Sequence, residues 1–283
     1  MIIQGLFEGF INGAMLALIA MGIALVWGVM NILSFSQGEF LMIGMYTSFY
    51  VTRLLGVDPI IALPVCAIVL YVLGLLTYRT IIAKALKGPI LSQRLITFAL
   101  SMVLINTALL LFGGDFKTIQ SISISGSIDL GWLIIAKQKL YPLVVALIVA
   151  GLMFYFLKNT KPGKAIQATA MDKFAASLVG INTEKIYERA FALASAIAGV
   201  AGCSLTYYYY VYPHVGANFQ LFGFIAVAMG GFGSITGAFL GGLIMGIADV
   251  LTGMFLNPAL KYLGVCIAFV VIVSFRPKGI FGK

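Results

Sequence analysis

Long apolar runs separated by short polar breaks dominate this sequence. They fall at 6–30, 36–55, 60–82, 92–113, 140–158, 189–211, 219–233, 235–256 and 259–275. Most approach the roughly 20 residues that carry a helix across the hydrocarbon core. Backbone polar groups in lipid must be satisfied internally, so these runs predict helices, and the short alternating strands of a membrane barrel are missing. The 219–233 run is short and glycine-rich, which fits a half-span or a broken helix. The expected fold is an all-α polytopic membrane bundle of eight or nine spans, with residues 1–283 as one transmembrane domain.

One break in the apolar pattern is unlike the others. Gly163–Asn182 is polar, alanine-rich and helical in spacing. It is too polar for hydrocarbon, so it lies in water between two spans. Small residues recur through it: Gly163, Ala165, Ala168, then Ala175 and Ala176 beyond Asp172. Pro162 suits a helix start, and Gly180 suits a left-handed stop. A solvated amphipathic connector explains the polarity. The small-residue face and a length beyond most interhelical loops point instead to docking in a groove of a soluble partner. The segment at about 161–182 is the candidate lever to that partner.

Composition agrees: 61% of residues are hydrophobic and 10% charged, with a mean hydropathy of +1.08. A soluble domain of this length needs more polar surface. The net charge of +9 invites a nucleic-acid reading, but the basic residues are distributed as membrane topology requires. Arg79, Lys84, Lys87 and Arg94 fall in one break. Lys158, Lys161, Lys164, Lys173, Lys185 and Arg189 fall in another, and Arg276, Lys278 and Lys283 in the tail. These are expected on the cytoplasmic side. Arg53, Lys117, Lys137, Lys139 and Lys261 are expected on the other side, with the N-terminus. The first apolar run has no preceding Lys or Arg and continues past Trp27, so it does not read as a cleavable signal. In the outer segment 114–139, Ile119, Ile122 and Ile124 alternate with polar residues, as in a short hairpin. The run Tyr207–Tyr212 reads as an interfacial belt ending a span at the same face, with substrate stacking as the alternative.

No GxxxxGK[ST], HExxH, GxSxG or CxxC motif occurs. The chain is not expected to be an enzyme or to hold a metal or other cofactor. Cys66, Cys203 and Cys266 lie in apolar stretches as small hydrophobes, and His214 follows Pro213 in a loop. Glu39 and Asp249 are acids at membrane depth and therefore functional candidates, with Gln37 beside the first. Ser36-Gln37-Gly38-Glu39 also has capping-box spacing, in which Ser36 caps a helix and Glu39 sits at its positive end. For Asp249 the alternatives are an aqueous path, solvation at the outer interface or a bond to Thr252. Gly233, Gly237 and Gly241 form one small-residue ridge, and Ala238, Gly242 and Gly246 another. Such ridges serve close helix packing or a subunit interface, and the spacing does not choose between them.

Three stretches resemble the branched-chain amino acid ABC permease family. Val26-Trp-Gly-Val-Met-Asn-Ile-Leu-Ser-Phe-Ser-Gln-Gly-Glu-Phe-Leu-Met-Ile-Gly44 is similar to its early signature. Gly163–Asn182 is similar to its cytoplasmic coupling segment, and Gly230-Gly-Phe-Gly-Ser-Ile-Thr-Gly-Ala-Phe-Leu-Gly-Gly-Leu243 to its late glycine signature. They lie in family order and cover essentially the whole chain. Gln37 stands where many members carry His, and Gln167 where Arg is frequent, which removes one titrating group and one ionic contact toward the ATPase. The resemblance implies the permease subunit of an importer for branched-chain or other hydrophobic amino acids, multi-pass in a bacterial or archaeal inner membrane. It further implies a related second permease, two cytoplasmic ATPase subunits, an extracytoplasmic solute-binding protein and no nucleic acid. Urea, short amides or other small polar solutes are the alternative cargo. An ion-coupled carrier using Glu39 and Asp249 is the alternative class.

Overall fold

A computed structural model describes residues 2–119, 126–129, 134–255 and 260–282. The helices are α1 (Ile2–Met30), α2 (Gln37–Leu55), α3 (Pro59–Ala85, with a π-helical turn at Tyr78–Ile82) and α4 (Ile90–Phe112). They continue as α5 (Lys137–Asn159), α6 (Lys161–Met171), α7 (Lys173–Leu178), α8 (Thr183–Leu205), α9 (Val215–Gly230), α10 (Ile235–Phe255) and α11 (Lys261–Phe275). Two short antiparallel strands, β1 (Ser127–Asp129) and β2 (Ile134–Ala136), precede α5. The alternating residues 120–125 expected as a hairpin lie outside the described residues.

Among the described residues, α1, α3, α4, α5, α8 and α10 are long and apolar enough to cross a membrane. The shorter apolar helices are α9 and α11; α2 has 19 residues and carries Glu39 and Arg53. The chain is an all-α polytopic membrane protein. The most apolar windows of α1 and α8 are 89% and 78% buried, whereas those of α3, α4 and α10 are 22–28% buried. Thus α1 and α8 form the centre, and α3, α4 and α10 turn apolar faces outward to lipid or a neighbouring chain.

Close approach of small residues holds the centre together, because in lipid helix association depends on dispersion rather than on water exclusion. α1 runs antiparallel to α10: Gly9 faces Ile247, Gly13 faces Leu243 and Gly28 faces Gly233. α3 runs antiparallel to α8 in the same way, Leu70 against Gly199 and Gly74 against Ser195. The glycine ridges pack within the chain. Gly242 and Gly246 meet Ala17 and Gly13 of α1, while Gly237 and Gly241 meet Gly230 and Ala226 of α9.

These pairings make an inverted repeat: α1–α4 crosses the bundle in the opposite sense to α8–α11. In both halves the second helix starts part-way across, α2 after the non-helical residues 31–36 and α9 after Tyr212-Pro-His214. Discontinuous helices of this kind are a mark of transport folds. The 189–211 run differs from expectation. Its helix begins earlier, at Thr183, because Asn182 caps it by accepting from Lys185 N at 3.1 Å. The helix stops at Leu205, so the tyrosine run forms turns beyond it.

Candidate functional site

The two discontinuous helices meet end to end. The N-terminal turn of α2 abuts that of α9 at Gly38 and Gly216, and a Cβ on either would collide with the other's carbonyl. Residues Ile32, Ser34 and Ser36 of the preceding non-helical segment are buried, so its backbone needs partners other than water. Side chains supply them. Thr97 Oγ1 donates to Leu33 O at 3.2 Å, and Gln220 Nε2 donates to Ser34 O at 3.1 Å.

The expected capping box does not form. Ser36 makes no side-chain cap and pairs instead with Ser34 Oγ at 3.1 Å. Gln220 of α9 takes over, its Oε1 accepting the Gly38 N–H at 2.5 Å. A long-range amide beats the local hydroxyl because the helix end is buried against α9. Glu39 points to α4, where Ser101 Oγ donates to its Oε1 at 3.1 Å. Its Oε2 and both polar atoms of Gln37 are buried without a hydrogen-bond partner. Two helix N-termini therefore converge on one carboxylate at the centre of the bundle, each contributing positive dipole.

Asp249 lies elsewhere. Gly9 of α1 packs beside Ile247, and Gly5 beside Leu251 and Met254, which places Asp249 toward the end of the bundle where α1 begins. It borders a cavity of about 100 Å³ that Asn12 and Lys261 also line. Asp249 Oδ1 has no hydrogen-bond partner, and Thr252, expected as one, packs against Gly264 instead. The structure brings Gln37 and Glu39 together and leaves Asp249 in a separate chamber.

The 161–182 segment is two helices rather than one. Asp172 breaks it with extended backbone (φ −154°, ψ 110°), and its Oδ1 accepts from Phe174 N at 2.8 Å and Ala175 N at 3.0 Å. Thr160 caps α6 by accepting from Gly163 N at 3.1 Å. Gly163 lets α6 press against the last turn of α5, where a Cβ would strike Phe156 O. Gly180 adopts φ +83° and ends α7. The small residues do not share one face: Gly163 and Ala176 are buried, Ala165 and Ala168 are half-buried, and Asp172, Ala175 and Gly180 are exposed. What the elbow offers outward is large and apolar. Met171, Phe174, Leu178 and Val179 are 72–83% exposed. Their spacing of three, four and one carried that signal beside the smaller alanines.

The elbow sits at the end of the bundle that gathers Arg79, Lys158, Lys161, Lys164 and Arg276, where Arg79 Nε meets Glu188 at 2.5 Å. Lys117, Lys139 and Lys261 lie at the other end. A multi-pass helical bundle with paired broken helices and a water-level elbow is the architecture of a transport permease. Residues 5–274 match the family described as branched-chain amino acid transport system / permease component, and the chain belongs to that family. It is 31% identical to the high-affinity branched-chain amino acid transport system permease protein LivH of Escherichia coli K12, over 99% of this chain and 96% of that one. It is 29% identical to BraD, the corresponding Pseudomonas aeruginosa protein, with the same coverage. Among solved structures, PsaBC from Streptococcus pneumoniae in complex with a Fab matches with a TM-score of 0.51 at 13% identity, covering 98% of this chain and 94% of that chain, which speaks to the fold alone.

Proposed function

We propose that the chain is the membrane-spanning subunit of an ABC importer for branched-chain or similar hydrophobic amino acids in the inner membrane. Two cytoplasmic ATPases power it, an extracytoplasmic binding protein supplies the solute, and a second, related permease completes the path. The relatives named above transport branched-chain amino acids, which supports this cargo. The observation that carries the mechanism is the α6–α7 elbow. It is clamped to α5 through Gly163 and turned at Asp172, and it presents Met171, Phe174, Leu178 and Val179 to water at the basic end.

An exposed apolar cluster on a rigid elbow suits a groove on a moving partner. Nucleotide binding to the ATPases favours one facing state, and the elbow passes that preference to α5 and α8, which flank it in sequence. Within the bundle, Gln37 and Glu39 sit where the discontinuous helices meet, a junction that rigid-body rocking of the two halves would open and close.

The test is reconstitution into liposomes with and without companion subunits. ATP-dependent valine or leucine uptake that requires the ATPases and the binding protein is the expected result. Full-rate uptake by the isolated chain under an ion gradient would overturn the reading and favour a secondary carrier.

A further inference from the structure

We infer that the chamber between α1, α9, α10 and α11 is a recognition site for a zwitterionic amino acid with a small aliphatic side chain. This deepens the importer reading above and rests on it. Asn12 on α1, Asp249 on α10 and Lys261 on α11 line the chamber, together with Tyr208, Tyr209 and Tyr262. Asp249 Oδ1 is buried and accepts no hydrogen bond, which leaves a carboxylate oxygen in need of a donor. Lys261 does not satisfy it. Among the described residues the ion pairs within 4.0 Å are Arg79–Glu188 and Lys139–Glu8, so Asp249 and Lys261 share the chamber without pairing. The Lys261 ammonium lies 5.0 Å from the Tyr262 ring centroid.

Opposite charges held apart across a small chamber are the complement of a zwitterion. A ligand ammonium satisfies Asp249, a ligand carboxylate reaches Lys261, and Asn12 can bond either. Leu16, Phe222 and Met245 give part of the wall an apolar face, which suits an aliphatic side chain. A volume of about 100 Å³ admits a small amino acid and excludes a peptide. A metal ion fits poorly, since the chamber supplies one carboxylate beside a cation, and no metal-ligating cluster occurs among the described residues. The chamber lies toward the end of the bundle holding Lys117 and Lys139, the face on which solute arrives in an importer.

The experiment is equilibrium binding of radiolabelled valine to the permease assembly in nanodiscs, with the binding protein left out so that its specificity does not enter. Competitors are 3-methylbutanoate, which lacks the ammonium, and isobutylamine, which lacks the carboxylate. In Asp249→Asn the preference for valine over 3-methylbutanoate falls by about tenfold, the scale of one charged hydrogen bond, while the preference over isobutylamine persists. In Lys261→Gln the pattern reverses. Asp249→Glu restores the first preference, and unchanged thermal unfolding separates these effects from misfolding. Unaltered preferences in both charge-removing variants, or valine binding that does not saturate, would overturn the assignment. ATP-driven valine uptake by the complete wild-type complex is the control: if it holds while the crossed pattern is missing, only the chamber assignment falls.

Discussion

Gln220 Oε1 accepts the Gly38 N–H at 2.5 Å, joining the start of α2 to the second turn of α9 across 182 positions of sequence. The same side chain donates to Ser34 O at 3.1 Å. One amide thus satisfies a buried helix end and a buried connecting segment, and it ties the two halves of the inverted repeat. Gln220→Leu removes both bonds in one step. Each orphaned backbone group costs about 1–3 kcal/mol, so the variant unfolds at clearly lower temperature in detergent. An unfolding temperature equal to wild type would mean that another group already serves these backbone atoms.

The glycine contact beneath this bond makes a sharper prediction. A methyl at Gly38 would meet Gly216 O and lie 2.8 Å from Gln220 Cβ. Neither backbone end can yield without moving a helix. Gly38→Ala is therefore expected to destabilise the bundle by about 1–3 kcal/mol, the usual cost of overpacking. Gly151→Ala is the control, because nothing lies within 4 Å of an added Cβ there. The prediction fails if the two substitutions shift thermal unfolding equally.

How far such features were legible depended on their range in sequence. The spans and the break between residues 30 and 36 follow from hydropathy, because lipid enforces them residue by residue. The basic asymmetry likewise places the elbow at one end. The cap of α2 was not legible, since Ser36 has the right spacing and the real partner is set by tertiary packing. The elbow was half legible. Gly180 read correctly as a stop, but Gly163 was read into a docking face and packs against α5 instead, and the alanine pattern suggested one continuous helix. Asp172 followed by Phe174 and Ala175 amides is a cap, and its competition with helix continuation is decided by local backbone geometry. Asp249 was legible as a costly acid, while its neighbour Lys261 became one only when α11 folded against α10.

At the end of the bundle away from the elbow, Lys117 occupies an aromatic enclosure. Its Nζ lies 5.4 Å from the Tyr50 ring centroid and 5.8 Å from those of Tyr46, Phe49 and Phe112, and it donates to Tyr50 Oη at 3.2 Å. The Lys117 backbone also bridges Val211 in both directions at 2.9 Å. The ammonium therefore pins the segment after α4 against α2. Lys117→Met keeps the stem and loses the charge, and is expected to cost about 1–2 kcal/mol of cation–π and hydrogen-bond energy. Lys117→Arg retains most of it. Chymotryptic cleavage at the exposed Phe116 should accelerate in the methionine variant and not in the arginine one.

The elbow yields a prediction that separates force transmission from folding. Asp172 is exposed, and its carboxylate makes two bonds, both to amides of its own short helix α7. Asp172→Ala removes a cap worth about 1 kcal/mol and frees α7 to fray. The bundle itself does not rely on those bonds, so thermal unfolding of the membrane core should be unchanged. Uptake driven by ATP should nonetheless fall, because a frayed α7 no longer holds Phe174 and Leu178 at fixed positions. Asp172→Asn keeps an acceptor oxygen and should recover most of the activity. Ala175→Trp acts on the same surface by bulk: it projects from an exposed position and should block uptake while insertion proceeds normally. Wild-type uptake in both Asp172→Ala and Ala175→Trp would show that force enters the bundle through some other surface.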